Sequence, residues 1–322
     1  MELEGERQMT QNKSLQARMP RRHGLRHDIR TNYDLYLLAI PGVLYYALFK
    51  YWPMYGLQIA FRNYSVRLGF WRSQWVGLEH FERFFRSYYS TQVIANTILI
   101  SVYSLAVGMP LPILLAILMN EVRNKAFKRT VQTVTYAPYF ISTVVMCSMI
   151  YLFLSPQSGV INRLLMALGG ESIYFMGKPA LFKTIYVLTG VWQYTGWNSI
   201  IYMAALSGID PQLHEAAMID GAGRFRRIWH INLPGLIPTM VILLILNSGS
   251  LMTVGFEKIF LLQNDLNRSA SEVISTLVYN QGLIQHDYSY SAAVSLFNSV
   301  VNCILLVTVN QIARRVSETS LW

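Results

Sequence analysis

What the sequence lacks most is charge. Asp, Glu, Lys and Arg make up 14% of its 322 residues, against roughly a quarter in soluble globular domains. The shortage is uneven: none of these residues occurs in Ser87 to Asn120, Thr130 to Asn162, Thr184 to Ile209, Ile228 to Phe256 or Tyr288 to Ala313. Each run exceeds the roughly 20 residues that cross a bilayer core as a helix. A sixth, Leu35 to Leu57, is broken only by Lys50 near one end, where a long side chain can snorkel to the interface. The pattern predicts an all-α integral membrane protein with six transmembrane helices and excludes an ordinary soluble domain.

Other absences narrow the function. Cys147 and Cys303 are the only cysteines, both inside uncharged runs, so they read as small apolar residues, with neither a disulfide nor a metal site expected. No hydrophobic stretch precedes Leu35; no cleavable signal peptide is expected, and the first span would direct insertion. No G-x-x-x-x-G-K-[ST] run is present to cradle phosphates, and Gly221-Ala222-Gly223 is only a fragment of a dinucleotide fingerprint. No nucleotide cofactor is therefore expected on this chain. Neither H-E-x-x-H nor a nucleophile, base and orienter set stands out, which leaves an intramembrane enzyme without a constellation. An ion-coupled secondary transporter or channel is the alternative class, but it usually needs ionisable groups near the midplane. Glu121 and Glu257 fall at span ends, and His286 and Asp287 lie outside.

The charge that is present orients the chain. A net charge of +10 would suggest nucleic acid in a soluble protein; here topology accounts for it and no nucleic-acid partner is expected. With the N-terminus inside, sixteen Lys and Arg fall on the cytoplasmic side and nine outside, which places both termini in the cytoplasm. Residues 1–32 form a basic tail whose Arg21-Arg22-His23 suits an anionic leaflet. The first transmembrane helix covers 33–57. An external segment, 58–92, interleaves Phe70, Trp71, Trp75, Phe81, Phe84 and Phe85 with Arg62, Arg67, Arg72, Arg83 and Arg86, the composition of an interfacial amphipathic helix. A five-helix core spans 93–313, with a cytoplasmic loop at 207–236, and 314–322 is a cytoplasmic end. Pro41, Pro53, Pro110, Pro112, Pro138 and Pro156 predict bends or ends in and beside the spans.

The loop is the most informative stretch. Asp210 reads as an N-cap with Pro211 at the first helical position, Leu213 to Ile219 as a short helix, and Gly221 as its left-handed stop. A second short helix is expected from about Arg224, ending before Pro234. Ala216, Ala217 and Gly221 carry so little bulk that another protein could approach the backbone closely.

Glu215-Ala216-Ala217, Gly221, Ile231, Leu233 and Pro234 match every fixed position of E-A-A-x3-G-x9-I-x-L-P, and the chain thereby resembles type I ABC importer permeases. Tyr51 to Gly56, Trp75 to Phe81, Phe256 to Leu262 and Ser320-Leu321-Trp322 look like its LplB-type, MalF-like branch. That branch includes permeases for poly- and oligosaccharides, an alginate importer's among them. The resemblance covers nearly all the chain beyond the tail. It implies a coupling helix anchored by Glu215 and Gly221 on an ATPase subunit. Also implied are two ATPase subunits that bind ATP and Mg, a second related permease, an extracytoplasmic solute-binding protein and a place in the bacterial inner membrane. Sugars are held by aromatic faces and neutral polar groups, so Tyr103, Trp192, Gln193, Tyr194, Trp197, Asn198, Asn247 and Asn298 are substrate-path candidates, with Asn96 and Asn302. For an acidic glycan, cations along the route would be expected, and the span interiors hold none; the external Arg cluster is the only charge feature favouring one. A reporter fused after Gly221 should be cytoplasmic and one after Asn267 external; the reverse would overturn this map.

Overall fold

The computed structural model describes residues 31–316, 320 and 321, so nearly all of the basic tail and the terminal Trp322 lie outside the described residues. The chain divides into two compact units between Leu57 and Gln58. In the first, helix α1 (Tyr33–Tyr46) has Pro41 within it and no buried residue, and it continues through a π-turn at Ala47–Tyr51. A 3-10 stretch, Trp52–Phe61, begins with Pro53 near its start.

The second unit opens with a departure from expectation. The segment 58–92 is not one amphipathic helix: two-residue strands β1 (Arg62–Asn63) and β2 (Gln74–Trp75) pair antiparallel, and only α2 (Glu79–Arg86) is a helix of two turns. Gly69 and Gly77 adopt positive φ (67° and 62°), which interrupts helical continuation. Arg62 closes the hairpin by donating to the Phe70 and Ser73 carbonyls, both at 3.0 Å, and lying over the Trp75 ring. Of the segment's five arginines, Arg62 is thus spent on the hairpin, while Arg83 pairs with Asp287 and Arg86 with Glu82.

Helices α3 (Tyr88–Gly108) and α4 (Pro110–Glu121) run on as one apolar stretch, with Pro110 at the first position of α4 where its missing N–H costs nothing. Helix α5 (Lys125–Tyr136) meets a 3-10 turn, Ala137–Phe140, containing Pro138. Ser142 then caps α6 (Thr143–Phe153), which leaves at 101°, so the span expected over Thr130 to Asn162 is a broken one. Helix α7 (Pro179–Ser207) has 29 residues. The loop helix α8 (Pro211–Ile219) leads to α9 (Leu233–Ser248), followed by α10 (Phe256–Leu262) and the long α11 (Tyr288–Val316).

Non-helical backbone between the helices is satisfied by two fully buried amides. Asn162 donates to the Leu154, Ser155 and Ile173 carbonyls and accepts from Ile173 N. Asn267 donates to the Met176 and Leu262 carbonyls and accepts from Asn264 N and Ser271 Oγ. By length and apolar composition, four helical stretches can cross a membrane, or five with the bent α5–α6 pair. Helix α7 is long enough, roughly 43 Å at 1.5 Å per residue, but is not among them.

Helix α7 is instead the centre of packing, against α3, α4, α5 and α9. Lipid gives no hydrophobic drive for helices to associate, so small residues that admit close backbone approach take over. Gly196 is such a point: a Cβ there would overlap the Thr135 carbonyl of α5. Gly196→Ala should cost about 2 kcal/mol or more and lower the thermal stability of the detergent-purified protein. Gly108→Ala, whose Cβ meets nothing within 4 Å, should leave it unchanged. Equal melting of the two variants would contradict this packing.

Candidate functional site

Two places gather the residues singled out from the sequence. The first is the loop. Asp210 Oδ1 accepts from Gln212 N at 2.9 Å, Pro211 starts α8, and Gly221 sits at φ 75° just beyond the helix. Ala222 N donates to the Ala217 carbonyl at 2.8 Å and Gly221 N to Met218 at 3.1 Å, the paired bonds of a Schellman stop. A Cβ at Gly221 would meet nothing within 4 Å. The glycine is therefore needed for its backbone angle, which an L side chain adopts at a cost of about 1–2 kcal/mol, and not for space within this chain.

The seven motif positions divide by role. Glu215, Ala216 and Gly221 are exposed on or beside α8, with Ala217 half-buried. Around them stand Ile219 and Phe225, 87% and 90% exposed, with Leu213, Met218 and Trp229. Ile231 is half-buried, and Leu233 packs against the cluster of Ile113, Ala116, Ile117, Tyr202, Leu206 and Leu236 that roots the loop in the core. Pro234 corrects an expectation: the second helix does not stop before it. Arg224 to Ser248 is one helical stretch, with a π-turn at Ile228–Asn232. A widened turn already breaks the i to i−4 register, so the proline lacks no bond that the helix would otherwise make. Inside that turn Asn232 is fully buried, and its amide finds no hydrogen-bond partner among the described residues.

The second place is a cavity of about 620 Å³ walled by α3, α7, α9, α10 and the segment before α10, within the range of small-molecule sites. Tyr194, Asn198 and Asn247 line it. The other candidates do not. Gln193 is buried and donates to the Ile141 carbonyl at 3.0 Å, holding α7 to the broken span. Trp197 stacks on Tyr139 with centroids 4.3 Å apart. Asn96 donates to the Ser269 and Glu272 carbonyls, and Asn302 binds Met252 N and Thr253 Oγ1. Tyr103, Trp192 and Asn298 lie outside the lining. The reason is helical: Tyr186, Gly190, Tyr194 and Asn198, four apart, share the face of α7 that meets the cavity, whereas Trp192, Gln193 and Trp197 turn elsewhere.

Sequence reasoning missed Glu257, which it placed at a span end, and its neighbour Lys258. Short helix α10 folds back against α6, with Ile259 and Leu262 in one core alongside Met146 and Ile150. That fold brings both charged residues to the cavity wall. The signal was a charged pair inside the otherwise apolar Phe256 to Leu262. No group of three or more His, Cys, Asp or Glu that could hold a metal ion occurs among the described residues.

Residues 108–318 match the family model described as binding-protein-dependent transport system inner membrane component. Protein LplB of Bacillus subtilis (strain 168) is 45% identical over 288 residues, covering 89% of this chain and 91% of the relative. The polygalacturonan/rhamnogalacturonan transport system permease protein YteP of the same strain is 44% identical, covering 89% and 90%. Among solved structures, a chain of a bacterial alginate ABC transporter, in complex with an alginate pentasaccharide-bound periplasmic protein, superposes with a TM-score of 0.86. It is 37% identical over 92% of this chain and 99% of that one. The anchored, capped loop and the cavity thus sit in a chain that belongs to the family of binding-protein-dependent transport system inner membrane components.

Proposed function

We propose that this chain is one permease subunit of an ATP-driven importer for an oligo- or polysaccharide, alginate among the cargoes that its relatives suggest. It forms half of the translocation path with a second, related permease, and α1, which buries none of its apolar residues, packs against that partner. Two ATPase subunits dock on the cytoplasmic loops and hold ATP and Mg; this chain hydrolyses nothing. A solute-binding protein delivers cargo from outside, and Tyr194, Asn198 and Asn247 meet it in the cavity. Helix α7 is the sixth span, its polar face turned to the cavity and not to lipid, and both termini are cytoplasmic.

One observation carries this reading: a capped helix presents Glu215, Ala216 and a rim of exposed apolar side chains, with none of its residues fully buried in its own chain. A surface of this kind gains by covering. Its coupling needs only that the ATPase pair grip it more tightly in one conformation than in the other.

Gly221 supplies the test. Gly221→Val, a β-branched residue at positive φ, should abolish cargo-stimulated ATPase activity while the chain still inserts. Gly221→Asn, which tolerates that angle, should keep most of the activity. Full stimulation in the valine variant would overturn the docking role. Glu215→Ala removes a side chain with no hydrogen bond among the described residues, so it should leave thermal stability unchanged yet weaken retention of the ATPase on purification. Loss of stability with intact retention would assign Glu215 to folding instead.

A further inference from the structure

The external arginines are an unconvincing route to acidic cargo, because Arg62, Arg83 and Arg86 are engaged within the chain. The cavity offers a different cation. Lys258 is only 7% exposed, on α10, and its Nζ donates to the Tyr186 carbonyl at 3.0 Å and lies 4.8 Å from the centre of the Tyr186 ring. An ammonium has three donors. The carbonyl takes one, and no carboxylate forms an ion pair with Lys258 among the described residues, whose ion pairs are Arg83–Asp287, Arg86–Glu82 and Arg268–Glu272.

A buried, unpaired charge is expensive, and within a membrane bundle it marks a functional group by default. Two neighbours make room for an anion. At Gly190, one turn from Tyr186 on the cavity face of α7, a Cβ would stand 3.4 Å from Nζ; the absence of a side chain leaves the ammonium accessible from the cavity. Glu257, the next residue, also lines the cavity but is exposed, so solvent screens its repulsion while Lys258 acts from a drier setting. Asn198 of α7 and Asn247 of α9 supply neutral donors to the same cavity.

We infer that Lys258 is the carboxylate-recognising residue of the translocation cavity, making a charge-assisted hydrogen bond to the acid group of a uronate-type saccharide. The inference rests on the permease reading and adds the cargo's chemistry and the residue that selects it. The bland role for the same lysine is to pin α10 to α7 through the Tyr186 carbonyl. The two roles differ in what they do to an uncharged cargo.

The experiment uses the assembled importer, purified with its second permease and ATPase subunits but without the solute-binding protein, so that binding reports on the cavity. Equilibrium binding is measured for alginate pentasaccharide and for the same pentasaccharide with every carboxyl methyl-esterified. Wild type should prefer the acid. Lys258→Met should weaken the acid roughly ten- to a hundred-fold, as loss of one charge-assisted bond implies, and leave the ester unchanged. Lys258→Arg should restore most of the preference. Equal losses for acid and ester would make Lys258 a structural pin and overturn the inference, as would an unchanged Lys258→Met variant or a wild type indifferent to esterification. If wild type binds neither compound, the inference also falls; ATP-dependent uptake of some other, neutral saccharide would then leave the permease reading intact.

Discussion

A polar group in hydrocarbon must find its partner inside the protein, and this constraint organises the molecule. It explains why nearly every described residue of the core is helical and why the exceptions are closed so completely. Asn162 and Asn267, both fully buried, each tie up three or more backbone or hydroxyl groups where the chain leaves a helix. It also explains α7, where Gln193 is paired with the Ile141 carbonyl and Asn198 faces the cavity. The same rule makes Lys258 conspicuous. Its charge has been taken from water without an ion-pair partner among the described residues.

Close packing then stands in for the hydrophobic effect. Gly196 lets the backbones of α5 and α7 touch, and Leu233 roots the Asp210–Pro234 loop in the cluster around Leu236. The loop's exposed half is therefore held by a buried half. Glu215 is joined to the core through a capped helix and a continuous stretch from Arg224 to Ser248. Coupling in this picture is a bias between two arrangements of packed helices, and it needs no side chain that touches both ATP and cargo.

Much of this was legible in the sequence. Uncharged runs located the helices, and the spacing from Asp210 to Gly221 yielded the N-cap, the short helix and the left-handed stop at the residues where they occur. What was illegible depended on three-dimensional neighbours. The external Arg and Trp residues read as one amphipathic helix because composition cannot see Arg62 closing a hairpin through two carbonyls. Pro234 read as a stop because a π-turn leaves no mark in the residues before it. Among the aromatic and amide residues of α7, density was a poor guide where period was a good one: Tyr194 and Asn198 meet the cavity and Trp192 and Trp197 do not. Lys258 did not stand out because nothing local says that α10 folds back into the bundle.

The central claim is that this chain moves cargo only as part of a machine driven from its cytoplasmic loop. Proteoliposomes containing the chain alone, and others containing it with its second permease, ATPase subunits and solute-binding protein, allow the claim to be read directly as labelled saccharide uptake. The account predicts no uptake by the chain alone under any ion gradient, and uptake by the full assembly only when ATP is present on the side of the Glu215 loop. Uptake by the isolated chain driven by a proton or sodium gradient, at the rate of the full assembly, would contradict it.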